Sequence, residues 1–154
     1  MEYIEATKEH AEQIYRLVQD TIQAIYPKFY PMEVVKFFCN HHSREQIVGD
    51  ITNGYVGILL SDNKMVGTGS YKDNHITRVF VAPAFQKQGY GGHIMQCLED
   101  KIALTYSSAY LDASLPSCQF YEGRNYKTVR HEKIEVGNGV FLVYGIMEKQ
   151  FQHR

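Results

Sequence analysis

The chain has 154 residues with 16 Lys and Arg against 17 Asp and Glu, and its formal charge of −1 gives no general attraction to nucleic acid or an acidic membrane. That length suffices for one domain, residues 1–154, with a substantial core, and no Pro/Ser-rich or charged linker divides it. Cys39, Cys97 and Cys118 are odd in number and lack Cys-x-x-Cys spacing, so they point to buried reduced thiols rather than a disulfide scaffold or zinc site.

The amino terminus opens with Glu2 and Glu5 rather than a basic segment, and no apolar run is long enough to cross a bilayer, so a soluble cytoplasmic protein is expected. Tyr3 to Ala6 predicts a short strand. Thr7 can cap a helix whose apolar positions Ala11, Ile14, Leu17, Val18, Ile22 and Ile25 recur at helical spacing, ended by Pro27 and Pro31. Met32 to Cys39 reads as a second helix. Ser43-Arg44-Glu45-Gln46 has the form of a capping box opening a third, stopped by Asn53-Gly54. Strands follow at Tyr55 to Leu60, Met65 to Tyr71 and His75 to Val81, joined by Ser61-Asp62-Asn63 and Lys72-Asp73-Asn74 turns into an antiparallel meander. A helix burying Ile94, Met95, Leu98 and Ile102 comes next, with His93 at its start. Then come a strand at Ala109 to Ala113 and a short helix from Pro116. Val129 to Val136 and Val140 to Met147 form a hairpin around Gly137-Asn138-Gly139. The expected architecture is a mixed, mostly antiparallel α/β sheet flanked by helices.

Between the third strand of the meander and the following helix lies Pro83, then Gln86-Lys87-Gln88-Gly89-Tyr90-Gly91-Gly92. Closely spaced glycines can turn several backbone N–H groups toward one point, and the helix start adds its positive dipole end, which together make an anion site. No Gly-Lys-Ser/Thr triplet follows, against a triphosphate loop. A dinucleotide loop would place glycine where Ile94 stands and sit tight against its strand, yet Asp112 lies at a suitable distance, so a dinucleotide-binding protein stays open as an alternative. A glycine-rich turn that merely joins strand to helix is the plainer reading.

The run from Val79 to Gly92 resembles motif A of the GNAT superfamily of N-acetyltransferases, with Gln86, Gly89 and Gly91 at its marked positions. Phe120-Tyr121-Glu122-Gly123-Arg124-Asn125-Tyr126 is similar to the Phe-Tyr-x-x-x-Gly-Phe segment of many members, and the element order agrees as well. The resemblance implies a GNAT fold and acetyl-CoA or coenzyme A as cosubstrate. It implies that the amide of Val79 holds the thioester carbonyl, that Val81 holds the pantetheine arm, and that Phe80 lies between them. It assigns the pyrophosphate to the amides of Gln88, Gly89, Tyr90, Gly91 and Gly92, with the Gln86 side chain as a further contact and Lys87 supplying charge. Tyr121 is placed beside the sulfur as general acid. Its hydroxyl, with a reference pKa of about 10, can donate to a thiolate whose reference is about 8.5.

Three positions depart from the family pattern, one of them at the place of the base. Many relatives carry glutamate where this chain has His75, and imidazole can do that work near neutral pH, directly or through water. In other relatives ordered water alone removes the proton. Ser114 stands where an asparagine often contacts the cofactor, and Asn125 replaces a glycine but tolerates a left-handed helix end. Tyr26, Phe29, Tyr30, Phe37, Phe38 and His41-His42 fall where an acceptor pocket is commonly bounded, although most of these aromatics are also suited to a core. Adjacent histidines rarely converge on a metal, and none is expected. The reading is an N-acetyltransferase acting by direct attack on the primary amine of a small molecule, amino acid or peptide. A non-catalytic acyl-CoA-binding sensor, or an edge-pairing interaction domain, is the alternative. Neither nucleic acid nor membrane is an expected partner, and a homodimer is left open.

Overall fold

The computed structural model describes residues 1–152. Strand β1 (Glu2–Glu5) leads to helices α1 (Ala11–Ile25), α2 (Met32–His41) and α3 (Arg44–Asn53). Strands β2 (Tyr55–Ser61), β3 (Lys64–Lys72) and β4 (His75–Val81) then form the meander, followed by α4 (Tyr90–Ile102) and β5 (Ser108–Ala113). Helix α5 (Cys118–Gly123) and the hairpin of β6 (Lys127–Gly137) and β7 (Val140–Gln150) complete the chain. The seven strands lie in the order β1-β2-β3-β4-β5-β7-β6, and every neighbouring pair is antiparallel except β4 with β5. The expected mixed, mostly antiparallel α/β sheet is therefore present. A doubly wound parallel sheet, which a dinucleotide fold requires, is not.

Local chemistry explains the boundaries. Asp62 and Asn63 both adopt positive φ, at 52° and 64°, so a two-residue loop joins Ser61 to Lys64 with the twist a hairpin prefers. Ser43 Oγ accepts the Gln46 N–H at 3.1 Å, capping α3. Thr7 acts one turn earlier than expected: a 3-10 turn over Lys8–His10 precedes α1, and the Thr7 N–H donates to His10 Nδ1 at 3.0 Å. Helix α4 likewise begins at Tyr90 rather than His93, because Gly89 takes the left-handed conformation that stops the loop and starts the helix.

Each face of the sheet carries its own core. Ile14, Val18, Ile22, Val35 and Ile47 from α1–α3 pack with Val56, Ile58 and Phe80 on one face. Ile94, Met95, Leu98 and Ile102 of α4 pack with Leu59, Val66, Leu111, Tyr126 and Met147 on the other. Gly67 and Gly69 of β3 let α4 come close: a Cβ on Gly69 would stand 2.6 Å from Ile94 Cγ2, and one on Gly67 would stand 2.7 Å from Ile94 Cδ1. That close approach sets where the first turn of α4 meets the end of β4.

Candidate active site

Strands β4 and β5 pair only at His75–Tyr110 and Ile76–Leu111. Beyond Ile76 the two part, while β4 stays paired to β3 through Val79–Gly69, Phe80–Thr68 and Val81–Gly67. The Ala82 N–H donates to Val66 O at 2.9 Å, toward β3. Alternation along an antiparallel strand then directs the Phe80 N–H toward β3 as well, and those of Val79 and Val81 toward the open side. Both amides that the sequence singles out therefore face a gap in the sheet.

The chain leaves β4 through a 3-10 turn at Pro83–Phe85, and the Gln86 side-chain amide donates back to Val81 O at 2.9 Å, fixing the loop to the strand end. Lys87 and Gly89 take positive φ, at 62° and 88°. The His93 N–H bonds to Gly89 O at 3.1 Å as the first full helical bond, so the amides of Tyr90, Gly91 and Gly92 have no acceptor within the helix. The Tyr90 side chain packs edge-on against Phe85, with its hydroxyl 3.1 Å from Ser61 Oγ. The Gln88 side chain reaches back to Ala84 O at 3.4 Å. A Cβ on Gly91 would meet the Phe120 ring at 3.3 Å, so α5 lies directly over this turn.

Where β4 and β5 separate there is a slot of about 60 Å³, lined in part by Val79, Phe80, Ser114, Tyr121 and His42. Tyr121 is only 7% exposed. Among the described residues its hydroxyl has no partner, and Arg124 Nε is the one side-chain atom both sealed and unbonded, so the Tyr121 hydroxyl opens into this slot. Burial pushes its pKa up, with Tyr26 and Cys118 adding to the shift. Ser114 Oγ lies 3.3 Å from the Tyr26 hydroxyl and donates to Ser117 Oγ at 3.2 Å. Cys118 Sγ donates to Ser114 O at 3.4 Å, and burial raises its pKa, as suits a packed thiol rather than a nucleophile.

The slot adjoins a larger cavity of about 520 Å³, with Phe37, Phe38, His75, Arg78, Asp112 and Tyr144 in its walls. His75 stacks flat on Tyr110, ring centroids 4.3 Å apart, and its Nε2 is 3.5 Å from Asp112 Oδ2. Sequence reasoning missed Arg78 and Asp50 here, and the bond that ties Arg78 to His42. Arg78, 4% exposed, donates from Nη2 to Asp50 Oδ2 at 2.8 Å and from Nε to His42 Nδ1 at 3.1 Å. The one signal available was a charged residue within the apolar run of β4; its partners on α3 and at the end of α2 are distant in sequence. Phe29 lies outside these walls and is exposed. A broader, open depression between α4 and β7 is built around Glu99, whose carboxylate accepts from Tyr126, Arg124 and Lys149 at 2.8, 3.0 and 3.1 Å. Its chemistry is that of a satisfied structural anion.

An open strand edge leading to free helix-start amides is the arrangement expected of an acyl-CoA-dependent transferase. The chain matches the family model "Acetyltransferase (GNAT) domain" over residues 6–148, and it belongs to the GNAT acetyltransferase family. No curated protein sequence matches it. Solved structures do. The GCN5-related N-acetyltransferase of Rhodopseudomonas palustris superposes with a TM-score of 0.89 at 19% identity, over 97% of this chain and 95% of that one. PaiA N-acetyltransferase of Thermoplasma acidophilum, solved in complex with coenzyme A, gives 0.79 at 16% identity, over 97% and 98%. YncA of Salmonella typhimurium, solved with acetyl-CoA, gives 0.68 at 14% identity, over 100% and 95%. At these identities the superpositions establish a shared fold.

Proposed function

We propose that the chain is a single-domain, acetyl-CoA-dependent N-acetyltransferase that acetylates a primary amine of a small molecule, amino acid or peptide by direct attack in a ternary complex. The observation that carries this reading is the continuous line of free main-chain donors, from Val79 and Val81 on the open edge of β4 to Tyr90, Gly91 and Gly92 at the start of α4. An extended pantetheine arm fits the first part as a missing strand would, and a pyrophosphate fits the second. Gln88 and Gly89 extend that cradle and Lys87 adds charge beside it. Gln86 braces the loop through Val81 O, which leaves its own side-chain oxygen free, while Ser114 and Phe80 wall the slot.

In this reading the Val79 amide is aimed at the thioester oxygen, which gains negative charge as the amine nitrogen bonds to the carbonyl carbon. The carbon–sulfur bond then breaks, and the Tyr121 hydroxyl supplies the proton that the departing thiolate takes up. His75, with Asp112 behind it, takes the proton lost by the amine, directly or through water. Burial favours the neutral form of Tyr121, so it stays protonated until the thiolate forms.

Thermal unfolding with acetyl-CoA, coenzyme A, NAD and ATP tests the cofactor. Acetyl-CoA at a hundred times its dissociation constant should add about 2.7 kcal/mol of stability. NAD and ATP should add far less. A panel of amines is then assayed for thiol release. Absence of any acetyl-CoA effect overturns the reading, and binding without turnover of any amine converts it to an acyl-CoA sensor.

A further inference from the structure

His42 is held in one protonation form by its surroundings. It closes α2, its N–H bonding to Phe38 O at 3.1 Å and its carbonyl accepting from Gln19 Nε2 at 3.1 Å, so the backbone beneath the ring is pinned. The ring packs edge-on against Phe80, centroids 5.2 Å apart. Its Nδ1 accepts from Arg78 Nε at 3.1 Å. A guanidinium is never an acceptor, so Nδ1 must carry the lone pair and the proton of the neutral ring sits on Nε2. Burial, Arg78 and His41 all hold the pKa of His42 well below its ordinary value, which keeps the ring neutral.

Nε2 is the atom left over. His42 is 6% exposed, yet Nε2 makes no bond among the described residues and is not sealed, and the residue lines both the slot and the larger cavity. A buried donor therefore points into the space beside Tyr121 and Val79 with nothing to donate to. It cannot take a proton from an amine, because its basic nitrogen is occupied by Arg78. Asp50 already neutralises Arg78, so this wall offers a hydrogen bond without net positive charge, and Asp112, which lines the same cavity, disfavours a free carboxylate.

We propose that His42 is a specificity-determining residue of the acceptor pocket: its Nε2–H donates to a neutral carbonyl oxygen beside the reacting amine, making the acceptor an α-amino amide or the amino end of a peptide. A simple alkylamine leaves this donor unsatisfied. An unmade hydrogen bond at a buried site costs roughly tenfold or more in affinity. The proposal rests on the acetyl-transfer reading for where the amine lies, and it narrows that reading to one acceptor chemistry.

The test is calorimetric titration of the coenzyme A-saturated protein with L-phenylalaninamide, phenethylamine and L-phenylalanine. Phenylalaninamide is expected to bind at least about tenfold more tightly than either of the others. His42→Asn keeps an oxygen for Arg78 near the Nδ1 position but has no donor reaching as far as Nε2. It should bring the ratio of phenylalaninamide to phenethylamine within about twofold, and phenethylamine, no longer facing an unmade bond, should bind no more weakly than to the wild type. His42→Gln, whose amide nitrogen falls near Nε2, should recover most of the preference. Nitrogen NMR of the ring should place the proton on Nε2. Equal affinities in the wild type, a preference that survives His42→Asn, no binding of any of the three, or a proton on Nδ1 each overturns the proposal. If the preference holds but no thiol is released with any amine, the acetyl-transfer reading fails and the recognition chemistry stands.

Discussion

At Tyr121 burial acts on a neutral hydroxyl and makes it harder to ionise, whereas at His42 it acts on a base and makes it harder to protonate. Replacing Tyr121 with Phe removes the proton donor and no internal hydrogen bond. The turnover number should therefore fall by about a hundredfold while the melting temperature holds, as a steady-state assay and a thermal scan would show. His42 predicts a pH effect on stability. Its pKa is lowered on folding, so its contribution is complete above the unfolded value of about 6.5 and is lost as pH falls below that, the unfolded chain taking up the proton first. His41, lowered chiefly by burial, acts in the same direction. Urea titrations between pH 7 and 5 should show stability declining, and His42→Asn should flatten that decline. At this scale the sequence was informative where a motif marks the residue, as for Tyr121 and Gly89. It set His42 only at the boundary of an acceptor pocket and was silent on its protonation, because nothing in the pair His41-His42 reveals a guanidinium 36 residues away.

The elements were the most legible part, since each is specified by its own local pattern. Alternation in β2 to β4, helical spacing in α1 and α4, and Asx or glycine at the turns all placed their segments within a few residues. The misses were at ends. Thr7 looks like a cap for α1, but His10 gives it a nearer partner, so a 3-10 turn forms first. Two glycines carry the junction of element and site. Gly69→Ala would set a Cβ 2.6 Å from Ile94 Cγ2 and 3.0 Å from Leu98 Cδ1, and α4 would have to move off β3. A loss of about 1–3 kcal/mol in denaturant unfolding is expected. Gly89→Ala meets no neighbour, yet it must hold φ near 88° with a Cβ, which costs about 1–2 kcal/mol. Its signature should be weakened acetyl-CoA affinity with little change in amine affinity, measured by calorimetry for each ligand separately.

For the molecule as a whole, the order of predicted strands and helices foretold the mixed α/β class. The antiparallel majority of the sheet followed from the short turns of the meander and the final hairpin. What no periodicity could reveal was the neighbour that β4 would take on its other side, because β5 lies beyond a helix and its pairing depends on how α4 lies across Gly67 and Gly69. The same placement opens the slot and brings α5 over the first turn of α4. Site and fold are therefore consequences of one packing decision.

The parallel seam has a mechanical consequence. With two register pairs between them, the leaf of β1 to β4 and the leaf of β5 to β7 share few main-chain bonds, and side chains around α4 supply most of the hold. A thioester lying along the gap would act as a stitch. Amides of β5 and β7 should exchange with deuterium sooner than those of β2 and β3 in the free protein, and the difference should shrink once acetyl-CoA is added. Cofactor loading would then be felt as far away as the carboxyl-terminal hairpin, as a slower breathing of the whole sheet.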